Sequence, residues 1–74
     1  MTDHDKFVRR FKRIINDNYG GKIYQLAKEL GYSDNTLYRY LNMEAFPSVV
    51  LLDRICDKFG VSMDYLTGRT DNER

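Results

Sequence analysis

The sequence predicts an all-α domain built from five short helices. Apolar residues recur at spacings of three and four in five successive stretches, which is the pattern of helices that bury one face. Each stretch is bounded by residues that cap or interrupt helices, mainly serine, glycine and proline. A chain of 74 residues has room for one domain with one small core, so these helices are expected to pack together.

The first two helices lie in the N-terminal half. Helix 1 is predicted over about residues 5–16, and the sequence NYGG at residues 18–21 is expected to break it. Its apolar stripe consists of Phe7, Phe11, Ile14 and Ile15. Helix 2 is predicted over about residues 22–30, and Gly31 follows where a helix end favours a left-handed residue. Its apolar stripe consists of Ile23, Leu26, Ala27 and Leu30.

Helix 3 is predicted to follow helix 2 after a very short turn and to span residues 34–41. Ser33 is suited to cap its N-terminus, and the carboxylate of Asp34 suits the positive end of its dipole. Two helices joined so closely must cross at a steep angle, and the small side chain of Ala27 suits the place where they approach.

Two more helices complete the domain. Helix 4 is predicted to begin after Ser48 and to end at Gly60, and its stripe consists of Leu51, Leu52, Ile55 and Phe59. Ser62 can cap a last short helix, which Gly68 closes and whose apolar residues are Met63, Tyr65 and Leu66.

The chain is expected to divide into a flexible N-terminal tail (residues 1–5), a helical domain (residues 6–68) and a polar C-terminal tail (residues 69–74) that frays. His4 falls in the first tail and is expected to be exposed. Cys56 lies in the stripe of helix 4 and is expected to fill the core.

Composition disfavours several classes of function. One histidine, one cysteine, no glycine-rich phosphate loop and no suitably spaced carboxylates argue against an enzyme. Nothing in the sequence indicates a cofactor, a metal site or a small-molecule effector. A single cysteine suits a reducing compartment, no apolar run approaches a membrane span, and MTDHDKF differs from a signal peptide. The chain is therefore expected to be cytoplasmic and to have no contact with membranes.

The charges are unevenly distributed. Between Lys6 and Asn42 eight basic residues face three acidic ones, whereas from Met43 onwards four basic residues face six acidic ones. A basic half suggests a polyanionic partner, although a basic helix face can also be merely solvated. Both explanations stay open for four of the cations of helix 1, namely Lys6, Arg9, Arg10 and Arg13.

Helix 3 has two different faces when it is projected at about 100° per residue. Leu37 and Tyr40 fall on one side, which is expected to anchor the helix on the core. The opposite side carries hydrogen-bonding side chains, namely Asn35, Tyr38, Arg39 and Asn42. A helix held by one face and polar on the other is suited to insertion, and the major groove of DNA admits one α-helix.

This part of the sequence resembles the Cro/CI-type helix-turn-helix family of phage repressors, also called the xenobiotic-response-element family. The resemblance covers about residues 22–68. It rests on Leu-Ala and Leu-Gly in helix 2, on Ser33, and on Thr-Leu and Arg-Tyr in helix 3. It continues with Asn42, with Pro-Ser before helix 4 and with the closing sequence GVSMDYLTG.

The resemblance implies a compact five-helix domain that binds a double-stranded DNA operator and regulates transcription, with repression as the expected outcome. Carried over by position, the residues that contact bases are Asp34, Asn35, Tyr38 and Arg39. Those implied near the DNA backbone are Ser33, Thr36 and Asn42, and Lys22 at the start of helix 2 is placed to contact a phosphate.

The sequence departs from the family's pattern at four positions. The family often has glutamine where this chain has Ile23, and commonly has glutamate where this chain has Leu41. Met43 stands where the family commonly has glycine, and Asp34 is repelled by phosphates unless it accepts from a cytosine amino group.

Two expectations concern partners. One short helix contacts too few base pairs to specify a site, so a homodimer is expected, at least on DNA, with Val61 to Leu66 as its interface. The alternative function is a protein-interaction module on the same fold, such as an antirepressor. Its apolar contact patch would include Leu41, Met43 and Phe46, with Asp34 beside them.

Overall fold

The structure is a computed structural model that describes residues 3–72 of the chain. It confirms the predicted all-α fold: five helices and no strand are present within these residues. The helices are α1 (His4–Tyr19), α2 (Ile23–Leu30), α3 (Asp34–Leu41), α4 (Val49–Phe59) and α5 (Met63–Leu66).

Side-chain caps fix the N-termini of four helices. Ser33 Oγ accepts from the backbone N–H of Thr36 at 3.2 Å, which starts α3 as predicted. Ser48 and Ser62 cap α4 and α5 in the same way. Asp3 caps α1 by accepting from the backbone N–H of Lys6. These bonds satisfy N–H groups that have no partner inside the helix.

Helix α1 is longer than predicted at both ends. It begins at His4, so His4 and Asp5 belong to the helix rather than to the expected tail. At the other end Asn18, taken as part of a breaker, donates its side-chain N–H to the carbonyl oxygen of Ile14 at 2.9 Å. Tyr19 packs its ring edge-on against Phe59, and only Gly20 ends the helix. The tertiary contact of Tyr19 outweighs the local turn signal.

The expectation that His4 is simply exposed was wrong. Its side chain is half-buried, and Nε2 donates to the carbonyl oxygen of Tyr40 at 3.3 Å. Its ring meets Phe46 edge-on at a centroid distance of 5.0 Å. His4 therefore connects the first turn of α1 to the C-terminal end of α3, a contact that a local sequence pattern cannot reveal.

One core joins all five helices. Its fully buried side chains are Phe7, Phe11, Leu26, Leu37, Leu51, Ile55 and Leu66. The expected core position of Phe59 needs a correction, because this ring is only half-buried at the edge of the core. Cys56 is buried as predicted, and burial raises the pKa of its thiol, so the thiolate is disfavoured at neutral pH.

Helix α1 lies at the centre of the arrangement, where it packs against α2, α3 and α5. An ion pair adds a link between α2 and α4, since Lys58 Nζ lies 2.6 Å from Glu29 Oε1. Tyr19 donates its hydroxyl to the same carboxylate at 3.1 Å. The ammonium group of Lys58 lowers the pKa of Glu29, and the carboxylate in turn raises the pKa of Lys58.

The C-terminal segment after α5 lies against α1. Arg10 donates to the carbonyl oxygens of Tyr65 and Thr70 and pairs with Asp71 at 2.8 Å. Gly68 approaches α1 so closely that an added Cβ would lie 2.9 Å from the Cβ of Lys6. Residues 69–72 of the expected polar tail are thus held by these contacts, and residues 73 and 74 lie outside the described residues.

Candidate nucleic-acid interface

The turn between α2 and α3 is held by backbone hydrogen bonds. Gly31 adopts the left-handed conformation with φ 78°, and the N–H of Tyr32 returns to the carbonyl oxygen of Ala27 at 2.9 Å. This pairing is the Schellman arrangement that stops a helix and redirects the chain. Ser33 then starts α3 immediately, and Ala27 is buried beneath the turn.

Helix α3 is anchored by a single fully buried side chain, Leu37. Tyr40 and Leu41 are half-buried and pack against the core from the same helix. The predicted base-contacting residues are all exposed, and they are Asp34, Asn35, Tyr38 and Arg39. The structure therefore gives α3 one attached side and one free side, as the helical projection predicted.

The free side of α3 offers both donors and acceptors. No carboxylate within residues 3–72 lies within ion-pair distance of Arg39, so its guanidinium is available to a ligand. Tyr38 is 48% exposed and presents its ring and hydroxyl beside Arg39. Asn35 adds an amide, which can donate and accept at once. The eight residues of α3 span about 12 Å, at about 1.5 Å per residue.

The predicted backbone-contacting residues flank this face. Ser33 and Thr36 lie at the N-terminus of α3, where their hydroxyl oxygens are 2.8 Å apart. If Thr36 donates in that bond, the hydroxyl hydrogen of Ser33 is free for a phosphate oxygen. Asn42 caps the C-terminus of α3 and is exposed. Lys22 precedes α2, makes no side-chain cap bond and is also exposed.

Two residues of α1 belong to the same surface and were missed by the sequence analysis. Lys12 and Asn16 line a depression of about 210 Å³, and Tyr38 and Leu41 line it from α3. From the sequence, Lys12 is only one of the eight basic residues between Lys6 and Asn42. A helical wheel could have separated it from the others, because it falls about 60° from the buried Ile15.

The remaining cations of α1 lie on its opposite flank and face α5. Lys6, Arg9, Arg10 and Arg13 line a depression of about 430 Å³ together with Tyr65. The side chain of Arg10 is only 13% exposed and its guanidinium lies 4.2 Å from the centre of the Tyr65 ring. Arg10 thus holds the C-terminal segment, a structural role that differs from both explanations left open by the sequence.

Ile23 stands where the family often has glutamine, and it is a core residue in this structure. Ile23 is buried with the core residues and has almost no exposed surface to offer DNA. The exposed side chains at the start of α2 are those of its neighbours. Lys22 and Tyr24 are both exposed there, and the Tyr24 side chain is one of the large exposed rings of the domain.

The exposed apolar residues lie elsewhere than expected. In the expected dimer interface, Tyr65 and Leu66 are buried, and Val61 and Met63 pack against the core. None of these side chains is among the large exposed apolar residues, and a dimer interface at this segment stays a prediction. The most exposed aliphatic side chains are instead Val49 and Val50 in the first turn of α4, and Met43 and Phe46 precede them in the loop.

Two further structural facts bear on the class of protein. Within residues 3–72, no helix combines the length and apolar character needed to cross a membrane. The same residues contain no group of three or more histidine, cysteine, aspartate or glutamate side chains arranged to hold a metal ion.

The fold is that of a DNA-binding regulatory domain in which α2 and α3 form a helix-turn-helix. A family model described as helix-turn-helix matches residues 12–66, from the middle of α1 to α5. The chain belongs to this Cro/CI-type helix-turn-helix family, a family of DNA-binding transcription regulators rather than enzymes. Searches among curated proteins and among solved structures found no match.

Proposed function

We propose that the protein is a transcriptional repressor that inserts α3 into the major groove of its operator. The observation that carries this proposal is the division of α3 into a buried side, anchored by Leu37, and a free polar side. An α-helix fits the major groove, where the edges of all four base pairs can be distinguished. A domain seated on an operator blocks the access of other proteins to that DNA, and this obstruction is the form of repression that we propose.

Each base-contacting residue has a matching chemistry. Arg39 can donate two parallel hydrogen bonds to guanine O6 and N7, and Asn35 can pair in the same manner with adenine N6 and N7. Asp34 can accept from the amino group of cytosine. Tyr38 can donate its hydroxyl to a base or a phosphate.

Residues suited to contact phosphates surround the base-contacting residues. Lys22, Ser33, Thr36 and Asn42 flank α3, and Lys12 reaches the same surface from α1 beside Tyr38. Each phosphate neutralised by a lysine releases counterions and adds about 0.9 to the slope of log affinity against log salt concentration. Replacing Lys12 by alanine should therefore lower that slope by about one unit and weaken all sequences alike. Arg9, exposed on the other flank of α1, is the matched control and should leave the slope unchanged.

The protein is proposed to act as a pair of domains on DNA. Half-sites one helical turn apart place the centres of two domains about 34 Å from each other. The domain measures 28 × 24 × 20 Å, so two copies fit side by side on one face of the duplex. We also propose that the protein works in the cytoplasm, because its single free cysteine suits a reducing compartment.

The experiment that tests this function is the selection of bound duplexes from a random pool, followed by affinity measurements over a range of salt concentrations. We expect an inverted repeat and a steep loss of affinity with salt. A pool that shows no enriched sequence, or an affinity that does not change with salt concentration, would contradict the proposal.

A protein-interaction module remains the second candidate. The observation in its favour is the exposure of Phe46, Val49 and Val50, since apolar side chains grouped on a surface often mark a protein contact. Leu41 contributes less to this surface than expected, because it packs against the core. An apolar protein contact keeps its affinity as salt rises, so the same salt series distinguishes the two functions.

A further inference from the structure

All five helices are followed by a residue with positive φ, and this residue is glycine after every helix except α3. One or two residues after the last residue of each helix, the chain has a left-handed residue with positive φ. In four helices this residue is glycine, namely Gly20, Gly31, Gly60 and Gly68. After α3 it is Met43, with φ 63°, and no other non-glycine residue within residues 3–72 has positive φ.

The backbone around Met43 holds it firmly in this conformation. The N–H of Met43 bonds to the carbonyl oxygen of Tyr40 at 3.2 Å, and the N–H of Glu44 bonds to that of Arg39 at 2.9 Å. These two bonds form a complete Schellman motif with Met43 at the position that favours glycine. In the left-handed conformation the Cβ of an L-residue lies too close to the following carbonyl oxygen, so this conformation of Met43 destabilises the fold.

The Met43 side chain does not recover that loss by packing in the core. It is 49% exposed and is absent from the residues that pack against the core, whereas Tyr40 and Leu41 just before it do pack there. A strained, half-exposed apolar side chain needs a reason other than the stability of the isolated domain.

The location of Met43 suggests that reason. It follows Asn42, the C-terminal cap of α3, and its own loop returns a hydrogen bond to the backbone of Arg39. It therefore lies immediately beyond the C-terminal end of the helix that carries Arg39 and Tyr38. The major groove displays one apolar group at base edges, the C5-methyl group of thymine.

We propose that Met43 packs its thioether side chain against a thymine methyl group at the edge of each half-site. This contact rests on the proposed function of α3 and adds a sequence preference that the polar residues do not supply. The unbranched methionine side chain adapts to an irregular apolar surface, which suits it to a methyl group whose exact position depends on the bound duplex.

Two variants separate the strain from the contact. Met43→Gly removes both, and Met43→Ala removes the side chain but keeps the left-handed Cβ. We expect Met43→Gly to raise the urea midpoint of unfolding above that of the parent protein, and Met43→Ala not to raise it. Both variants should bind the selected operator about fourfold more weakly, the factor associated with burying one methyl group.

The methyl group itself is tested by placing deoxyuridine at each thymine of the operator in turn. The parent protein should lose about fourfold in affinity at one thymine per half-site, and Met43→Gly should lose nothing further at that position. Equal losses by parent and variant at every thymine, or no loss anywhere, would overturn the inference.

The same experiment distinguishes this inference from the proposed function. If Arg39→Ala changes base preference while Met43→Gly binds as well as the parent, only the role of Met43 is wrong. If Arg39→Ala and Asn35→Ala also leave binding unchanged, α3 does not contact the bases and the proposed function fails with it.

Discussion

Leu37 is the single fully buried side chain of α3, so its truncation tests how the proposed DNA-contacting helix is held. Replacing Leu37 by alanine removes three carbon atoms from the core, worth about 2.4 kcal/mol at about 0.8 kcal/mol per buried group. The cavity adds to this loss, which gives a total of about 2–5 kcal/mol. A domain of 74 residues has a free energy of unfolding of about 4–11 kcal/mol, so the variant is left close to unfolding.

The assay combines urea denaturation with DNA binding at a temperature where the variant is still folded. Leu51→Ala is the matched control, because Leu51 is equally buried but lies in α4. Both variants should lose similar free energy of unfolding. Only Leu37→Ala should also lose operator affinity per folded molecule, since only it loosens α3.

Two results would refute this reasoning. A free-energy loss below about 1 kcal/mol in Leu37→Ala would mean that the half-buried Tyr40 and Leu41 hold α3 without it. Equal operator affinity for Leu37→Ala and the parent, measured on folded protein, would mean that the anchoring of α3 has no bearing on binding.

Two further predictions concern stability. In urea denaturation, Gly68→Ala should cost about 1–2 kcal/mol of unfolding free energy for its left-handed backbone and about 1–3 kcal/mol more for the clash with Lys6. Gly31→Ala is the control, because open space surrounds its added Cβ, and it should cost only about 1–2 kcal/mol for the left-handed backbone. The pKa of Glu29 lies below its ordinary value of 4.5 because Lys58 bonds to the carboxylate, so this pair stabilises the fold above that pH and ceases to do so as pH falls through the lowered pKa. Melting temperatures measured from about pH 3 to pH 6 should therefore fall less steeply on acidification in Glu29→Gln than in the parent, and identical slopes would show that the pair contributes nothing.

The helix-turn-helix could be predicted from the sequence because its signals are local. Gly31 stops α2 and Ser33 caps α3 through bonds that reach only three to five residues, so the spacing of these residues fixes the turn. The face of α3 that carries Asn35 and Arg39 follows from helical periodicity once Leu37 is recognised as its anchor.

Features that depend on distant contacts could not be predicted. His4 lies in a polar segment, and only the packing of α1 brings it to the Tyr40 carbonyl oxygen and the Phe46 ring. Arg10 resembles any exposed arginine until the C-terminal segment returns to it. The place of Lys12 beside Tyr38 likewise depends on how α1 and α3 cross. The sequence shows that Met43 stands where the family commonly has glycine, but its positive φ appears only in the structure.

The base preference of Arg39→Ala and Asn35→Ala tests most directly whether α3 recognises bases. Affinities for the selected operator and for each of its single-base variants should show a loss of about 1–3 kcal/mol and a relaxed preference at one base pair per half-site for Arg39→Ala. Asn35→Ala should relax a neighbouring base pair instead. If both variants keep the full base preference of the parent protein, α3 does not recognise the sequence, and the protein-interaction function takes precedence.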